Sequence, residues 1–217
     1  MHGNLKIGIM ASGRGSNFRS LAEHCRKEDY PADIVILVTD NPDAGALEIA
    51  GDMSIRSIVV DCGKRRGSMT PESSREICRL FRESGVELVC LAGFMRIVKG
   101  RLMEEYSLRM LNIHPALLPS FKGLDGQKKA LEYGVRYSGC TVHFVDDGID
   151  TGPIIIQKVV PVFQDDTEES LSARILKEEH RAYPEAVKLF AEKRLEVRGR
   201  RVFIDYEQGN RRNIHAD

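Results

Sequence analysis

The sequence predicts an α/β fold: a doubly wound, mostly parallel sheet with helices on both faces. Strand-like and helix-like segments alternate through the first two thirds of the 217-residue chain, an order typical of parallel sheets with right-handed crossovers. The run VELVCLAGF, Val86–Phe94, is almost continuously apolar, as expected for a central strand covered on both faces. Further along, the apolar runs CTVHFV and GPIIIQKVVPV are separated by a turn-rich segment, which predicts an antiparallel element near the C-terminal part of the sheet.

The first half of the chain supplies successive βα units. We expect strands at Lys6–Met10, Asp33–Asp40 and Ser57–Asp61, and helices from near Asn17 and over Ala44–Asp52. A third helix is predicted in PESSREICRLFRES, because Ile77, Leu80 and Phe81 fall on one helical face. Pro71 suits the first turn of that helix, where its missing N–H is not needed.

The second half begins with a helix near Asp125–Tyr133, followed by the two neighbouring strands. A long helix comes next, with Thr167 as its N-cap and Glu168 and Glu169 at the positive end of its dipole. Pro184 should bend or restart this helix, because proline lacks the backbone N–H that the helical ladder uses.

Composition and charge indicate an ordered intracellular protein. With 42% hydrophobic and 29% charged residues, the chain can bury a substantial core. Lys plus Arg and Asp plus Glu number 32 each, whereas a nucleic-acid binder is usually basic. No run approaches the ~18 apolar residues of a membrane span, and no signal-peptide pattern is present.

We therefore expect one cytoplasmic domain over residues 1–205, with a loosely ordered tail at 206–217. Its expected partners are small molecules, not nucleic acid or membrane, and it should be a monomer or a weak homodimer. The cysteines are odd in number and lie far apart, which favours reduced, mostly buried thiols over a disulfide framework; they are Cys25, Cys62, Cys78, Cys90 and Cys140.

The run LNIHPALLPSFKG, residues 111–123, is the most informative for chemistry. Alternate residues of a strand face the same side, so Asn112 and His114 should emerge together at a strand end bounded by Pro115. Acyl transfer needs such a pair, since one group stabilises a developing oxyanion while the other moves a proton. A lone histidine is more often a hydrogen-bonded core residue, but the adjacent amide and the proline-bounded loop favour a functional role.

The segment SGRGSN, residues 12–17, follows the first strand and opens a helix. It matches neither GxGxxG nor GxxxxGK. Its glycines still permit a tight turn, and helix N-terminal amides attract anions. A phosphate monoester would fit here, with Ser16 and Asn17 as further donors; a capped glycine turn is the alternative.

Two further segments carry candidate groups. HFVDDGIDTGP, residues 143–153, has three acids in five residues, but their spacing does not match a Ca²⁺ loop and no Cys/His set accompanies them, so we expect no metal. If Asp150 points at His114, it should favour imidazolium and raise the histidine pKa. In LAGFMRIVKG, Arg96 could hold a ligand carboxylate while its apolar neighbours cover a flat ring. A solvated loop and a core strand exit are the respective alternatives.

These segments together resemble the phosphoribosylglycinamide formyltransferases of the folate-dependent formyltransferase superfamily. The matching features are SGRGSN, LAGFMRI, LNIHPALLPSFKG, GCTVHFVDDGIDTGPII and ARILKEEHRAYPEAV, spread over about residues 5 to 200. NIHPxLLP with a following DTGP is shared by the wider superfamily, whereas the GSN loop and EHRxYP point more narrowly to the glycinamide ribonucleotide branch.

The resemblance implies transfer of formyl from the co-substrate 10-formyltetrahydrofolate to the amine of glycinamide ribonucleotide, in de novo purine biosynthesis and without metal. It implies that Asn112 and His114 stabilise a tetrahedral intermediate while Asp150 raises the histidine pKa. The implied contacts to glycinamide ribonucleotide are Gly15, Ser16 and Asn17 at the phosphate and Glu179 at the ribose. The implied folate site consists of Met95, Arg96, Ile97, Val98, Asn112, Asp146, Asp147, Gly148, Ile149 and Asp150, with Arg96 toward the glutamyl carboxylate.

Two positions depart from the family pattern. Asp125 stands where many relatives have a loop histidine, so any role of that histidine is absent or replaced. A second basic contact to the folate tail is not assigned to any one of Lys64, Arg65 and Arg66.

Three alternative functions share features with this one. Methionyl-tRNA formyltransferase normally adds a C-terminal β-barrel and a basic surface, and formyltetrahydrofolate deformylase adds an N-terminal regulatory domain; we expect neither here. A non-catalytic phosphometabolite- or folate-binding protein would use the same pockets, and the complete Asn112, His114 and Asp150 set argues against it.

Overall fold

The computed structural model describes residues 3–63 and 67–206. Its strands are β1 (Leu5–Met10), β2 (Ala32–Thr39), β3 (Ser57–Val59), β4 (Gly67–Ser68), β5 (Leu88–Leu91), β6 (Arg96–Ile97), β7 (Met110–His114), β8 (Tyr137–Phe144), β9 (Ile154–Pro161), β10 (Leu195–Arg198) and β11 (Arg201–Ile204). Its helices are α1 (Ser16–Cys25), α2 (Gly45–Asp52), α3 (Pro71–Glu83), α4 (Arg101–Glu105), α5 (Gly126–Tyr133) and α6 (Glu168–Ala191).

Nine strands form one sheet in the order β10-β11-β9-β8-β7-β5-β1-β2-β3. The centre is parallel, since β1 pairs in parallel with β2 and β5, and β5 with β7. Beyond β7 the pairing becomes antiparallel, from β7 to β8 and from β8 to β9. The predicted fold class, including the antiparallel element, is confirmed.

The predicted strands and helices are present, with shorter strands at two places. β3 ends at Val59 because it pairs only with the last three residues of β2, and β5 covers only the central four residues of the predicted Val86–Phe94. Four short strands and one short helix were not predicted: β4, β6, β10, β11 and α4. The predicted tail lies outside the described residues from position 207 onward, as do Lys64, Arg65 and Arg66.

Local capping explains where two helices begin. Thr70 Oγ1 accepts a hydrogen bond from the N–H of Ser73, and Pro71 occupies the first turn of α3, as predicted. At α6, the Thr167 side chain accepts from the N–H of Ser170, and the Ser170 hydroxyl accepts from the N–H of Thr167. This reciprocal pair satisfies two helix-terminal donors at once.

Helix α6 runs through Pro184 without a break, so of the two predicted outcomes, a bend or a restart, the restart does not occur. Pro184 cannot donate to the carbonyl of His180, which lies one turn earlier. The hydroxyl of Ser20 donates to that carbonyl at 3.2 Å, and Tyr30 donates to the carbonyl of Pro184 at 2.9 Å. Side chains from outside the helix therefore supply contacts to its backbone around the proline.

Two apolar clusters cover the faces of the sheet. One joins the sheet to α1, α2 and α6, and the other joins it to α3 and α4. Tyr183 of α6 is fully buried in the first cluster, and its hydroxyl lies 3.0 Å from the carbonyl oxygens of both Leu91 and Leu111. This contact ties α6 to the two central strands at the residue preceding Asn112.

No helix within the described ranges has the length and apolar character needed to cross a membrane.

Replacing Tyr183 by Phe should lower the free energy of unfolding by about 1–3 kcal/mol, because two strand carbonyls lose a buried donor. Urea denaturation measures the change. The matched control is Tyr133→Phe at a position that is 80% exposed, where we expect a change within about 0.5 kcal/mol. Equal stability of Tyr183→Phe and wild type would contradict the bridging role.

Candidate active site

The candidate site lies where the strand order reverses. From β1 the chain proceeds to β2 and β3 on one side, then returns to place β5 and β7 on the other. In open α/β sheets, ligands bind at the carboxyl ends of strands at such a point. The loop after β1, the segment after β5 and His114 at the end of β7 all lie at this edge.

Two predicted residues, His114 and Asn112, meet at the carboxylate of the third, Asp150. His114 Nδ1 lies 3.3 Å from Asp150 Oδ2, and Asn112 Nδ2 donates to Asp150 Oδ1 at 3.3 Å. The predicted proximity of Asp150 and His114 is confirmed. The amide donor of Asn112 and the imidazole of His114 therefore lie side by side, and both contact the carboxylate of Asp150.

The loop after β7 closes the same cluster from the other side. His114 Nε2 lies 2.9 Å from the carbonyl oxygen of Phe121, and the N–H of Gly123 donates to Asp150 Oδ2 at 2.8 Å. Phe121 and Asp150 have φ of 53° and 50°, left-handed values that cost non-glycine residues about 1–3 kcal/mol each. Such strain concentrates at functional sites, where the surrounding contacts hold it in place.

Two buried polar residues of β8 belong to this site and were not predicted. Thr141 donates to the carbonyl of Ala116 at 2.7 Å and accepts from the N–H of Leu118, so it anchors the loop that follows His114. His143 lies opposite Asn112 in the antiparallel register, with Nε2 3.2 Å from Asn112 Nδ2. The available signal was a pair of polar residues two apart within the apolar run CTVHFV.

Burial and charge act on His114 in opposite directions. Burial lowers its pKa, Asp150 raises it, and the net pKa lies below the ordinary value of 6.5. The prediction that Asp150 leaves this pKa raised is therefore wrong in its net direction, because the side chain is almost fully enclosed and burial outweighs the carboxylate. For Asp150, burial opposes ionisation, but the charge of a protonated His114 and the hydrogen bond from the Gly123 N–H bring its pKa below the usual range.

The glycine loop leads into α1 as predicted. Gly15 has φ of 77°, and a Cβ added there would lie 2.9 Å from Ala46 Cα, so both the backbone and the packing require glycine. Ser16 is the first residue of α1. Asn17 Nδ2 donates to Glu179 Oε2 at 2.7 Å, which brings together two residues predicted to contact different parts of one substrate.

Glu179 and Asn17 form a largely enclosed pair. Glu179 is 6% exposed, and burial raises its pKa although the Asn17 hydrogen bond acts to lower it. Within the described part of the chain, the buried Asn17 Oδ1 finds no hydrogen-bond partner. A ligand hydroxyl or amine is the kind of donor that would satisfy it.

In the segment Met95–Val98, which is predicted to hold a ligand carboxylate and a ring, the arginine is paired within the protein. Arg96 Nε donates to Asp40 Oδ2 at 2.6 Å, so a partner within the protein holds this guanidinium. The side chain of Val98 is buried in the core, and its place in the folate site stays a prediction. Met95 is 58% exposed, and Ile97 is partly exposed.

The acidic loop is mainly exposed. Asp147, Gly148 and Ile149 lie at the surface. Asp146 Oδ1 accepts from Thr151 Oγ1 at 2.6 Å and from the N–H of Gly148, which closes the turn. Among the acids of this loop, Asp146 therefore has the turn-capping role and Asp150 faces the histidine.

Residues 3–63 and 67–206 contain no group of three or more His, Cys, Asp or Glu side chains placed to hold a metal. Cys90 and Cys140 lie in buried strands, as predicted, and burial raises the pKa of the Cys140 thiol to about 12.

Comparison with known proteins gives consistent matches. Residues 5–187 match the formyl transferase family. The chain is 39% identical over 183 residues to phosphoribosylglycinamide formyltransferase of Bacillus subtilis, covering 84% of this chain and 93% of that protein. It resembles the crystal structure of glycinamide ribonucleotide transformylase 1 from Symbiobacterium toebii with a TM-score of 0.88 and 44% identity, covering 93% and 94% of the two chains. It is also 43% identical to the trifunctional purine biosynthetic protein adenosine-3 of Gallus gallus over 89% of this chain, but spans only 19% of that protein.

The substitution Asp150→Asn should lower the pKa of His114 further, because the amide keeps the shape of the carboxylate but no longer stabilises imidazolium. NMR titration of the His114 ring in wild type and variant measures the effect. Asp147→Asn, in the exposed part of the same loop, is the control and should leave the His114 pKa unchanged. Identical pKa values in wild type and Asp150→Asn would contradict the electrostatic coupling.

The sign of the pH dependence of stability follows from the lowered pKa of His114 in the folded protein. A histidine whose pKa is lower in the folded than in the unfolded chain binds fewer protons when folded, so unfolding is favoured as pH falls. The contribution of His114 is complete above the unfolded pKa of about 6.5 and is lost as pH falls through the folded value. In Asp150→Asn, where the folded pKa of His114 is lower still, the free energy of unfolding should keep falling down to a lower pH than in wild type. Denaturation at a series of pH values measures the difference.

Proposed function

The chain belongs to the formyl transferase family, and we propose that it transfers the formyl group of 10-formyltetrahydrofolate to the amine of glycinamide ribonucleotide in purine biosynthesis. The observation that carries this proposal is the convergence of Asn112, His114 and Asp150 beside a helix start suited to a phosphate. The names of the bacterial relatives support this choice of substrate.

The proposed phosphate site is the start of α1. Its first turn, SNFR, contains no acidic residue, and the amides of Ser16 and Asn17 lie at the positive end of the helix. A dipole contribution of up to ~2 kcal/mol is available to an anion in a partly buried setting. Glu179 and the unpartnered Asn17 Oδ1 are the acceptors proposed for the ribose hydroxyls, which are donors of the right kind.

In the proposed reaction, the amine attacks the formyl carbon, and the carbonyl π electrons move onto oxygen to give a tetrahedral intermediate. Asn112 Nδ2 and His114 stabilise the oxyanion. On collapse, the bond from carbon to the folate nitrogen breaks, the attacking amine loses a proton and the departing nitrogen gains one. We propose that His114, protonated once charge develops on the ligand, donates its Nε2 proton to the departing nitrogen and takes the amine proton in its place.

The lowered pKa of His114 fits a proton carrier that is largely neutral before the ligands bind. A developing oxyanion raises the proton affinity of the imidazole, and Asp150 stabilises the cation that results. To reach the substrate through Nε2, the histidine has to exchange the carbonyl of Phe121 for the substrate oxygen. Loop and ligand therefore compete for the same proton.

The proposed folate site combines the exposed Met95 with the Asp146–Asp150 loop, whose apolar and backbone surfaces suit a flat ring. The backbone of Arg96–Val98 is included, and Arg96 would meet a glutamyl carboxylate as a guanidinium already paired with Asp40. Such pairing weakens its attraction for a second carboxylate.

The direct test is a formyl-transfer assay with purified protein, 10-formyltetrahydrofolate and a panel of acceptors. Glycinamide ribonucleotide should be formylated far faster than glycinamide, which lacks the phosphoribosyl group. Release of formate without an amine acceptor would indicate a deformylase, formylation of methionyl-tRNA would indicate the tRNA enzyme, and binding without turnover would indicate a non-catalytic protein.

Asn112→Ala should reduce kcat by about 10²–10³, the usual cost of losing one oxyanion donor, while the protein still folds. Steady-state kinetics and thermal unfolding of the same sample measure both effects. The exposed Asn4→Ala is the control and should leave kcat unchanged. Near-normal turnover of Asn112→Ala would remove Asn112 from the mechanism.

Ser16→Glu should weaken binding of glycinamide ribonucleotide by about tenfold or more, since ~1.4 kcal/mol of repulsion between the new carboxylate and the phosphate suffices. Ser16→Gln has the same size without the charge and should bind nearly as well as wild type. Calorimetry with each ligand separately measures the effect, and folate affinity should not change. Equal effects of Glu and Gln would argue against a phosphate at this position.

A further inference from the structure

We propose that His143 is a positioning residue that holds the side-chain amide of Asn112 with its nitrogen toward the reacting oxygen. The inference rests on the proposed function and deepens it, because it assigns a role to a residue that acts through Asn112. His143 is 2% exposed and lies directly opposite Asn112 in the β7–β8 register.

The tautomer of His143 follows from its surroundings. Its Nδ1 lies 2.7 Å from the carbonyl oxygen of Phe144, and a carbonyl oxygen only accepts hydrogen bonds, so Nδ1 carries a proton. In the neutral ring, Nε2 then has a free lone pair and acts as an acceptor. The group facing it at 3.2 Å is the amide nitrogen of Asn112, a donor.

This contact selects one of two orientations of the Asn112 amide. With Nδ2 inward, one amide proton points to His143 Nε2 and the other to Asp150 Oδ1 at 3.3 Å. A rotated amide would place its oxygen against both the Nε2 lone pair and the carboxylate, two repulsive contacts. The rotated amide would also offer an acceptor where a negative charge develops, which would oppose the reaction.

The two protons of the Asn112 amide nitrogen have different roles. The contact to Asp150 is longer than the usual 2.7–3.2 Å of an N–H···O bond, so the proton directed there is the one available to the oxyanion. The contact to His143 remains throughout the reaction and fixes the amide plane. His143 Nε2 lies 3.6 Å from Asp150 Oδ1 but 3.2 Å from Asn112 Nδ2, so the amide is the nearer partner of this ring nitrogen.

A matched pair of variants tests the role. Glutamine places an acceptor near the position of Nε2, whereas asparagine reaches only the position of Nδ1. His143→Asn should lower kcat on the order of 10-fold to 100-fold, less than the ~10²–10³ for loss of the donor itself, with KM unchanged. His143→Gln should restore most of kcat, and His24→Asn, on the half-buried histidine of α1, should leave it unchanged.

A double-mutant cycle separates positioning from general stability. If His143 acts through Asn112, then His143→Asn should cost nothing further in an Asn112→Ala background. Equal losses in His143→Gln and His143→Asn, or the full loss repeated in that background, would overturn the proposal.

NMR of the ligand-free protein makes the test independent of activity. The imidazole ¹⁵N shifts of His143 should show a protonated Nδ1 and an unprotonated Nε2, and the Asn112 side-chain amide should shift in His143→Asn more than in His143→Gln. Lack of formyl transfer by wild type would overturn the proposed function, whereas an Nε2-protonated His143 would overturn the positioning role.

Discussion

The carboxylate of Asp150 joins three parts of the chain that are far apart in sequence. It contacts Asn112 and His114 on a central strand and receives the backbone N–H of Gly123 from the loop beyond that strand. The residue adopts a left-handed backbone conformation to do so, and Gly152, two positions later, packs against the carbonyl of Phe144 too closely for any side chain. The turn is therefore held in a strained form by contacts on both sides, and the geometry of the imidazole and the amide depends on it.

Burial of the Asp150 carboxylate and of His114 has two opposing effects on the site. Removing water strengthens each hydrogen bond and charge interaction in the cluster, because the local dielectric constant is lower. The same enclosure disfavours imidazolium, so the pKa of His114 falls despite the adjacent anion. A site of this kind keeps its histidine ready to accept a proton, and charge that develops on a bound ligand then shifts the balance. In the proposed reaction, the electrostatic role of Asp150 is thus expressed fully only when negative charge develops on the ligand.

Local patterns in the sequence were sufficient for some of this arrangement. The two-residue period of a strand placed Asn112 and His114 together, and the glycine-containing acidic turn indicated Asp150. His143 and Thr141 could not be predicted in the same way, because their partners depend on the register between two strands separated by a loop and a helix. The pair of Arg96 and Asp40 likewise joins residues 56 positions apart. The hairpin of β10 and β11 did have a local signal, apolar residues that alternate before Gly199 and a short apolar run that follows it.

The imidazole of His114 and the amide nitrogen of Asn112 already have partners supplied by the protein. His114 contacts Phe121 and Asp150, and the two protons of the Asn112 amide face His143 and Asp150. A ligand gains only the difference between its own contacts and the ones that it replaces, because an unpaired buried polar group costs about 1–3 kcal/mol. Two contacts are the easiest for a ligand to replace. One is the long hydrogen bond from Asn112 to Asp150, and the other joins His114 to the carbonyl of Phe121, which lies in a strained loop. The contacts within the sheet, between neighbouring strands, are retained because moving them would disturb the core. In the proposed site, the strands thus fix Asn112 and His114, while the contacts made by the two loops are the ones that a ligand would replace. Selectivity would then favour a ligand that restores both of the hydrogen bonds that the loops give up.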